Sequence, residues 1–379
     1  MATIKEKISA SLVLGSYLDT LGFNNGLWEF NLNINKFTNM VQAMTVTNDI
    51  INDFFSLGGF NINISKWVAS DDTIMMIATM KACMKGGELK HFIDEYIKIL
   101  HALEDTKRLS GITTLKSLKI LQKYKDIRKI KYSSSMGGNG AAMRTHYIGI
   151  HFKNIKDIIR MSILASRLTH NYPPGFLGGM TTALFTHYAI NNIDPWRWGD
   201  MLIELNENGT IDNIIKDMES TGIKYDDYIN DKNEFWDPWY KFREKRINRF
   251  NIKDHEFIYS SFRFASLIDI IDNVDVFNEK KPYQFNSFGG SGTGAVIVAL
   301  DSILLSITSS DNSNPREIDL TKPDKLIYNW QSLVVFSTLH FGDNDTIGAI
   351  TGMWYGALRG YDGVDKSVVN MLEFKKDLL

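Results

Sequence analysis

The sequence predicts a mainly α-helical bundle with its functional groups in the loops between helices. Three observations point there: long apolar segments recur at helical spacing, alternating strand-like runs are scarce, and Gly- or Asn-rich pieces separate the helical segments. Only 7 prolines interrupt 379 residues, and no Pro/Ser/Gly-rich linker divides them, so a single domain over 1–379 is expected.

In chain order, clear helical periodicity covers 3–21, 71–84, 89–103, 155–169, 177–191, 256–273, 294–307 and 325–340, where Ala, Leu, Ile and Met dominate. The segment from Lys116, KSLKILQKYKDIRKIKY, is basic, but its Leu118, Ile120, Leu121, Ile127 and Ile130 recur at roughly helical intervals, so it reads as a solvated helix face. Residues 206–251 mix acids, bases and tryptophan, including NEFWDPWYKFREKRINRF, and read as a variable surface excursion. SSDNSNPREIDLTKPD, from Ser309, reads as a long exposed loop.

Composition excludes several classes of function. With 44% hydrophobic residues and a net charge of -2, the chain can bury a large core and carries no basic excess for nucleic acid. Cys83 is the only cysteine, which rules out an intrachain disulfide or a cysteine-built zinc site and suggests an intracellular, cytoplasmic protein. The N-terminal apolar run is too short for a secretory signal, and no stretch reaches the length of a membrane span, so no membrane partner is expected.

Two acidic motifs carry the chemistry. In WVASDDTIMMIAT, Ser70, Asp71, Asp72 and Thr73 precede an apolar helical run; in GDNDTIGAITGMWYGALRG, Asp343, Asp345 and Thr346 enter a helix near Ile347. Ser70 could simply cap the first helix, with Asp71 and Asp72 favoured by its dipole, and Asp343 or Asp345 the second. Together they offer four carboxylates and several hydroxyls without Cys or His, an oxygen-only set suited to Mg²⁺ or Mn²⁺. The second motif lacks the third ligand, glycine and terminal glutamate of a calcium EF-hand. Its glycines, at 348, 352, 356 and 360, form a stripe that lets another backbone approach closely, at a propensity cost of about 1 kcal/mol each.

Two glycine-rich pieces, MGGNGAAMR from Met136 and SFGGSGTGAV from Ser287, match neither a P-loop nor a Rossmann fingerprint, yet each can present backbone N–H groups to phosphates.

Taken in order, LDTLGFNNGLWEF, WVASDDTIMMIAT, GNGAAMRTHYIG, SRLTHNYPPGFLGGMTTALFTHYA, FGGSGTGAVIVALDSIL and HFGDNDTIGAITGMWYGALRG resemble the ADP-ribosylglycohydrolase family, most closely its arginine-specific branch. The resemblance implies an orthogonal multi-helix bundle holding two Mg²⁺ ions and cleaving ADP-ribose from a protein side chain. It places metal on Ser70, Asp71, Asp72, Asp343, Asp345 and Thr346, and makes Asp71 or Asp72 the base, with Glu29 beside metals and substrate. Gly138, Asn139, Gly140 and Arg144 would lie along the diphosphate, His170 in the cleft, and Ser291 and Gly292 at the nucleotide end. An ADP-ribosylated protein or ADP-ribose is the implied partner, and a monomer is expected.

The chain departs from the family pattern in two places. Leu18-Asp19 stands where the family commonly reads GD, and GGSGTGAVI where the arginine branch commonly reads GGSSGHDAP. The second departure leaves open a serine-linked or small-molecule conjugate as substrate. A non-catalytic ADP-ribose binder or a structural protein on the same fold is the alternative outside catalysis.

Overall fold

The computed structural model describes residues 2–29, 39–247, 261–278, 283–310 and 325–379. Among them are eighteen α-helices and one two-stranded sheet. The first half contains α1 (Ile4–Phe23), α2 (Met40–Ser56), α3 (Asp71–Met84), α4 (Leu89–Lys98), α5 (Leu100–Leu103), α6 (Ile112–Tyr124), α7 (His146–His151), α8 (Ile155–Arg167) and α9 (Pro173–Ile190). The second contains α10 (Trp198–Glu207), α11 (Thr210–Lys216), α12 (Tyr225–Asp231), α13 (Asn233–Phe242), α14 (Ser261–Asp272), α15 (Gly292–Leu305), α16 (Trp330–Thr338), α17 (Asn344–Arg359) and α18 (Lys375–Leu378). Strands β1 (Ile307–Ser309) and β2 (Leu326–Tyr328) pair antiparallel, with Thr308 opposite Ile327.

Four helices buried over most of their length, α1, α9, α15 and α17, pack on one another at the centre. Such helices have no solvent face and must be enclosed. α1 begins with a reciprocal capping box between Thr3 and Glu6. From Ala10 to Phe23 every one of its residues is buried.

The expected glycine stripe seats α17 on α1. A Cβ at Gly352 would lie 2.3 Å from the Leu14 carbonyl oxygen, and one at Gly356 would lie 2.4 Å from the Ser11 nitrogen. Gly360 stands outside the stripe as the residue that ends α17, with φ 65°.

Several expected boundaries shift for physical reasons. α9 starts at Pro173 rather than 177, because Pro-Pro fits the first turn of a helix, where no N–H needs a partner. The 89–103 segment breaks at Ile99 into α4 and α5. The 294–307 segment ends as helix at Leu305, and 325–340 opens as strand β2 before α16.

Residues 206–247 differ most from expectation. They hold α11, α12 and α13, and α13 turns Phe235, Trp236, Trp239 and Phe242 into the core. Burying each phenylalanine contributes about 1.5 to 3 kcal/mol, which the charged residues between them do not oppose because they stay outside. Expectations for 248–251, 256–260 and 311–324 fall outside the described residues. Among the described residues, no helix is long and apolar enough to cross a membrane.

Candidate metal and substrate site

Three chain segments build an acid cluster around the N-termini of α3 and α17. Ser70 caps α3, its Oγ accepting from the Asp72 N–H at 3.1 Å, and so leaves Asp71 and Asp72 in the first turn. Asp343 caps α17, its Oδ1 accepting from the Thr346 N–H at 3.2 Å, while the same N–H reaches Asp345 Oδ1 at 2.8 Å. Both helix dipoles therefore point their positive ends at the acids.

The third contribution is Asp19, from the C-terminal half of α1. Its carboxylate accepts from Ser70 Oγ at 2.6 Å, from the Ser70 and Thr73 N–H groups at 3.3 and 3.2 Å, and from Thr73 Oγ1. Carboxylate oxygens of Asp19, Asp72 and Asp345 lie within 4.8 Å of one another. Asp19 belongs to neither acidic motif, and the resemblance gives it no role. Its signal was an ionisable residue inside an otherwise apolar helix.

Glu29 reaches the same cluster through a tightly specified turn. After α1 the chain passes Asn24, Asn25 and Gly26 with φ of 40°, 54° and 84°, a left-handed run that Asn and Gly tolerate. Asn25 Oδ1 then accepts from the Val68 N–H at 2.9 Å, tying this turn to the first acidic motif. On the other side Asn344 Nδ2 donates to the Trp28 carbonyl at 3.0 Å and to the His340 carbonyl at 2.6 Å. Behind Ser70, Arg108 and Glu373 clamp Ala69 by its carbonyl and its N–H at 2.7 and 3.1 Å.

The electrostatics call for a cation. Asp19, Glu29, Asp71, Asp72, Asp343 and Asp345 are all buried, and among the described residues none has a Lys, Arg or His within ion-pair distance. Burial, then the Asp345 charge, pushes both Asp19 and Asp71 up to about 7. Asp72 and Glu29 are raised well above the usual carboxylate range by burial first and Asp345 second, and Asp345 by burial and Asp343. Glu29 Oε2 and Asp72 Oδ2 are buried without a hydrogen-bond partner. Clustered carboxylates with unsatisfied oxygens fit a bound hard cation, which would supply the missing charge and ligand bonds.

Next to the acids, the two glycine-rich loops meet. Gly138 and Ser291 form a β-bridge, the Asn139 N–H donates to the Gly290 carbonyl at 3.1 Å, and the Gly292 N–H donates to the Gly137 carbonyl at 3.0 Å. Ser291 Oγ caps α15 by accepting from the Gly294 N–H at 2.9 Å. A cavity of about 380 Å³ opens on this junction, lined by Gly138, Gly290, Ser291, Tyr172 and Glu234 among others.

His170 stands behind the first loop. A Cβ at Gly140 would sit 2.6 Å from His170 Cε1, so only glycine leaves room there. Arg144 Nη2 donates to Thr169 Oγ1 at 2.8 Å, and the same hydroxyl is hydrogen-bonded to His170 Nδ1, also at 2.8 Å. Burial, then Arg144, lowers the imidazole to about 3, so it is neutral. Arg144 itself is fully buried, donating to Tyr96 Oη and to the Gly140 and Ala165 carbonyls. Its guanidinium braces the loop from within the core.

An all-α frame that brings clustered, uncompensated carboxylates beside a glycine-lined cavity defines a helical protein with a hard-cation type of centre. Comparison places it more narrowly: the family model for ADP-ribosylglycohydrolase matches residues 1–379, and the chain belongs to that family. It is 31% identical over 399 residues to the Dictyostelium discoideum protein named ADP-ribosylhydrolase ARH1, covering 99% of this chain and 92% of that one. It is also 31% identical over 356 residues to a protein of Acanthamoeba polyphaga mimivirus described as an ADP-ribosyl glycohydrolase. The match takes in 90% of this chain and spans 62% of the viral protein's length. A solved structure described as an ADP-ribosylglycohydrolase-related protein complex shares the fold, with a TM-score of 0.54 at 14% identity over 99% of this chain and 95% of that one.

Proposed function

We propose that this protein is a Mg²⁺-dependent hydrolase that removes ADP-ribose from arginine side chains of proteins, acting as a single domain. The observation that carries the reading is the convergence of six buried acids without a counter-charge, in a member of this family. Asp19, Asp71, Asp72, Asp343 and Asp345, with the Ser70 and Thr346 hydroxyls, would hold the metal. Bound there, a divalent cation supplies Lewis acidity to ribose hydroxyls and to an attacking water.

The chain's own residues divide the remaining work. Cleavage at an anomeric carbon passes through an oxocarbenium-like state, so the attacking water must lose a proton as the bond to the side chain breaks. Asp72 Oδ2 is buried and free of hydrogen bonds, which favours Asp72 as the base. Glu29 Oε2, equally free, holds the ribose at the same cluster.

The Gly138-Asn139-Gly140 loop receives the diphosphate on the Gly138 and Gly140 N–H groups, the Asn139 N–H being taken by the Gly290 carbonyl, and Ser291 and Gly292 meet the nucleoside end at the start of α15. His170 and Arg144 keep that loop in place. Incubation with peptides ADP-ribosylated on arginine or on serine, with Mg²⁺ or with chelator, tests the reading. Release from serine alone would move the substrate class, and release unaffected by chelator would remove the metal.

A further inference from the structure

The α1–α17 pair has two ends, and only one holds the acid cluster. At the other lies a cavity of about 980 Å³, lined by Lys7, Asn192, Asp194, Tyr328, Arg359 and Tyr361 among others. Lys7 precedes Asp19 on α1 by twelve residues, about 18 Å along a helix. This cavity is therefore separate from the candidate metal and substrate site.

Three acids, Glu6, Asp194 and Asp362, and three bases, Lys7, Arg359 and Lys366, line it, but Lys7 has no acid partner among the described residues. Arg359 is held by Asp362 Oδ2, at 3.2 Å from Nε and 2.5 Å from Nη2, and lies over the Tyr328 ring at 4.7 Å. Lys366 pairs with Glu6 at 3.2 Å. Asp194 turns to the Trp196 N–H at 3.0 Å. Lys7 is only 4% exposed, yet its Nζ has neutral partners: Asn192 Oδ1 at 2.7 Å and the Ile190 carbonyl at 3.4 Å. Among the described residues no carboxylate lies within 4.0 Å of it.

An ammonium enclosed without a counter-charge is costly unless something anionic reaches it. Burial, then the nearby Arg359, lowers the Lys7 pKa, in keeping with an uncompensated cation. The surrounding geometry is stiff. Asn192 adopts a left-handed φ of 59° at the end of α9 and presents its amide oxygen to Lys7. The close packing of α17 on α1 fixes Lys7 and Arg359 relative to each other. The Tyr361 hydroxyl, 3.0 Å from Ser9 Oγ, adds a polar wall.

We propose that this cavity is a second ligand site, which takes a small organic anion whose carboxylate or phosphate group is neutralised by Lys7 and flanked by Arg359. The remaining volume and the Tyr328 and Tyr361 rings would receive the rest of the molecule. The site stands whether or not the acid cluster is a hydrolase centre.

Calorimetric titration of the full chain with inorganic phosphate and with citrate, at ionic strength matched with NaCl, tests it. The two probes distinguish phosphate from carboxylate as the preferred group. At least one is expected to bind saturably, with affinity lowered tenfold or more by Lys7→Met and retained by Lys7→Arg, which keeps the charge. Asn192→Ala is expected to weaken binding as well. Failure of both probes to bind the wild type would overturn the proposal. Equal affinity in wild type and Lys7→Met would place the anion elsewhere and overturn it too.

Discussion

Asn139 Nδ2 donates to Asp343 Oδ2 at 2.6 Å and to the Gly289 carbonyl at 3.0 Å, so one side chain joins both glycine-rich loops to the second acidic motif. The phosphate-type cradle and the acid cluster are thereby held in a fixed relation.

Asn139→Ala removes that joint. Loss of a hydrogen bond to a charged group costs about 1.5 to 3 kcal/mol, or roughly ten- to a hundredfold in equilibrium terms. ADP-ribose affinity is expected to fall by that factor while the helical circular-dichroism signal stays unchanged. Undiminished affinity in a titration would show that the joint has no bearing on ligand binding.

Asp345→Asn separates a metal centre from a merely acidic one. Asp345 raises the pKa of Asp19, Glu29, Asp71 and Asp72. Neutralising it should raise the melting temperature of chelated protein while removing the further rise that Mg²⁺ gives the wild type. At a hundred times its dissociation constant a ligand stabilises by about 2.7 kcal/mol. A mutant that still gains this from Mg²⁺ would exclude Asp345 as a ligand.

The pH dependence follows from the same charges. Asp19 and Asp71 titrate near 7 in the folded chelated protein, against an ordinary value of 3.8. The folded state then binds more protons than the unfolded one between these values, so their contribution to stability is complete below about 3.8 and is lost as pH rises through about 7. Protons also compete with metal for these oxygens. The gap in melting temperature between Mg²⁺-loaded and chelated protein should therefore widen from pH 5.5 to pH 8, and a gap independent of pH would contradict the assignment.

Gly352→Ala tests the helix pairing that carries Asp19 and Asp345 to one place. Alanine gains about 1 kcal/mol of helix propensity, but its methyl would meet the Leu14 carbonyl at 2.3 Å. Overpacking of this kind costs about 1 to 3 kcal/mol, so a lower urea midpoint is expected. An unchanged or raised midpoint would mean that the two backbones can separate freely.

The two acidic motifs were legible because Ser-Asp-Asp and Asp-Asn-Asp-Thr each stand directly before an apolar helical run, and 71–84 marks the bounds of α3. Asp19 was not legible as a site residue, since a lone acid in an apolar helix shows its purpose only when Ser70 and Thr73 fold against it. The inward aromatics of α13 were obscured by the acids and bases between them, although Phe235, Trp239 and Phe242 recur at the spacing of one helix face. The Asn139–Asp343 bond and the enclosure of Lys7 join residues far apart in the chain, and no local pattern announces them.

The central claim is best tested by measuring free ADP-ribose released from a peptide mono-ADP-ribosylated on arginine, with Mg²⁺, with chelator, and with Asp72→Asn. The account predicts release by the wild type in Mg²⁺, abolished by chelator and reduced by orders of magnitude in Asp72→Asn, while ADP-ribose binding persists. Wild-type protein that binds ADP-ribose but releases none from the arginine peptide under Mg²⁺ would contradict it.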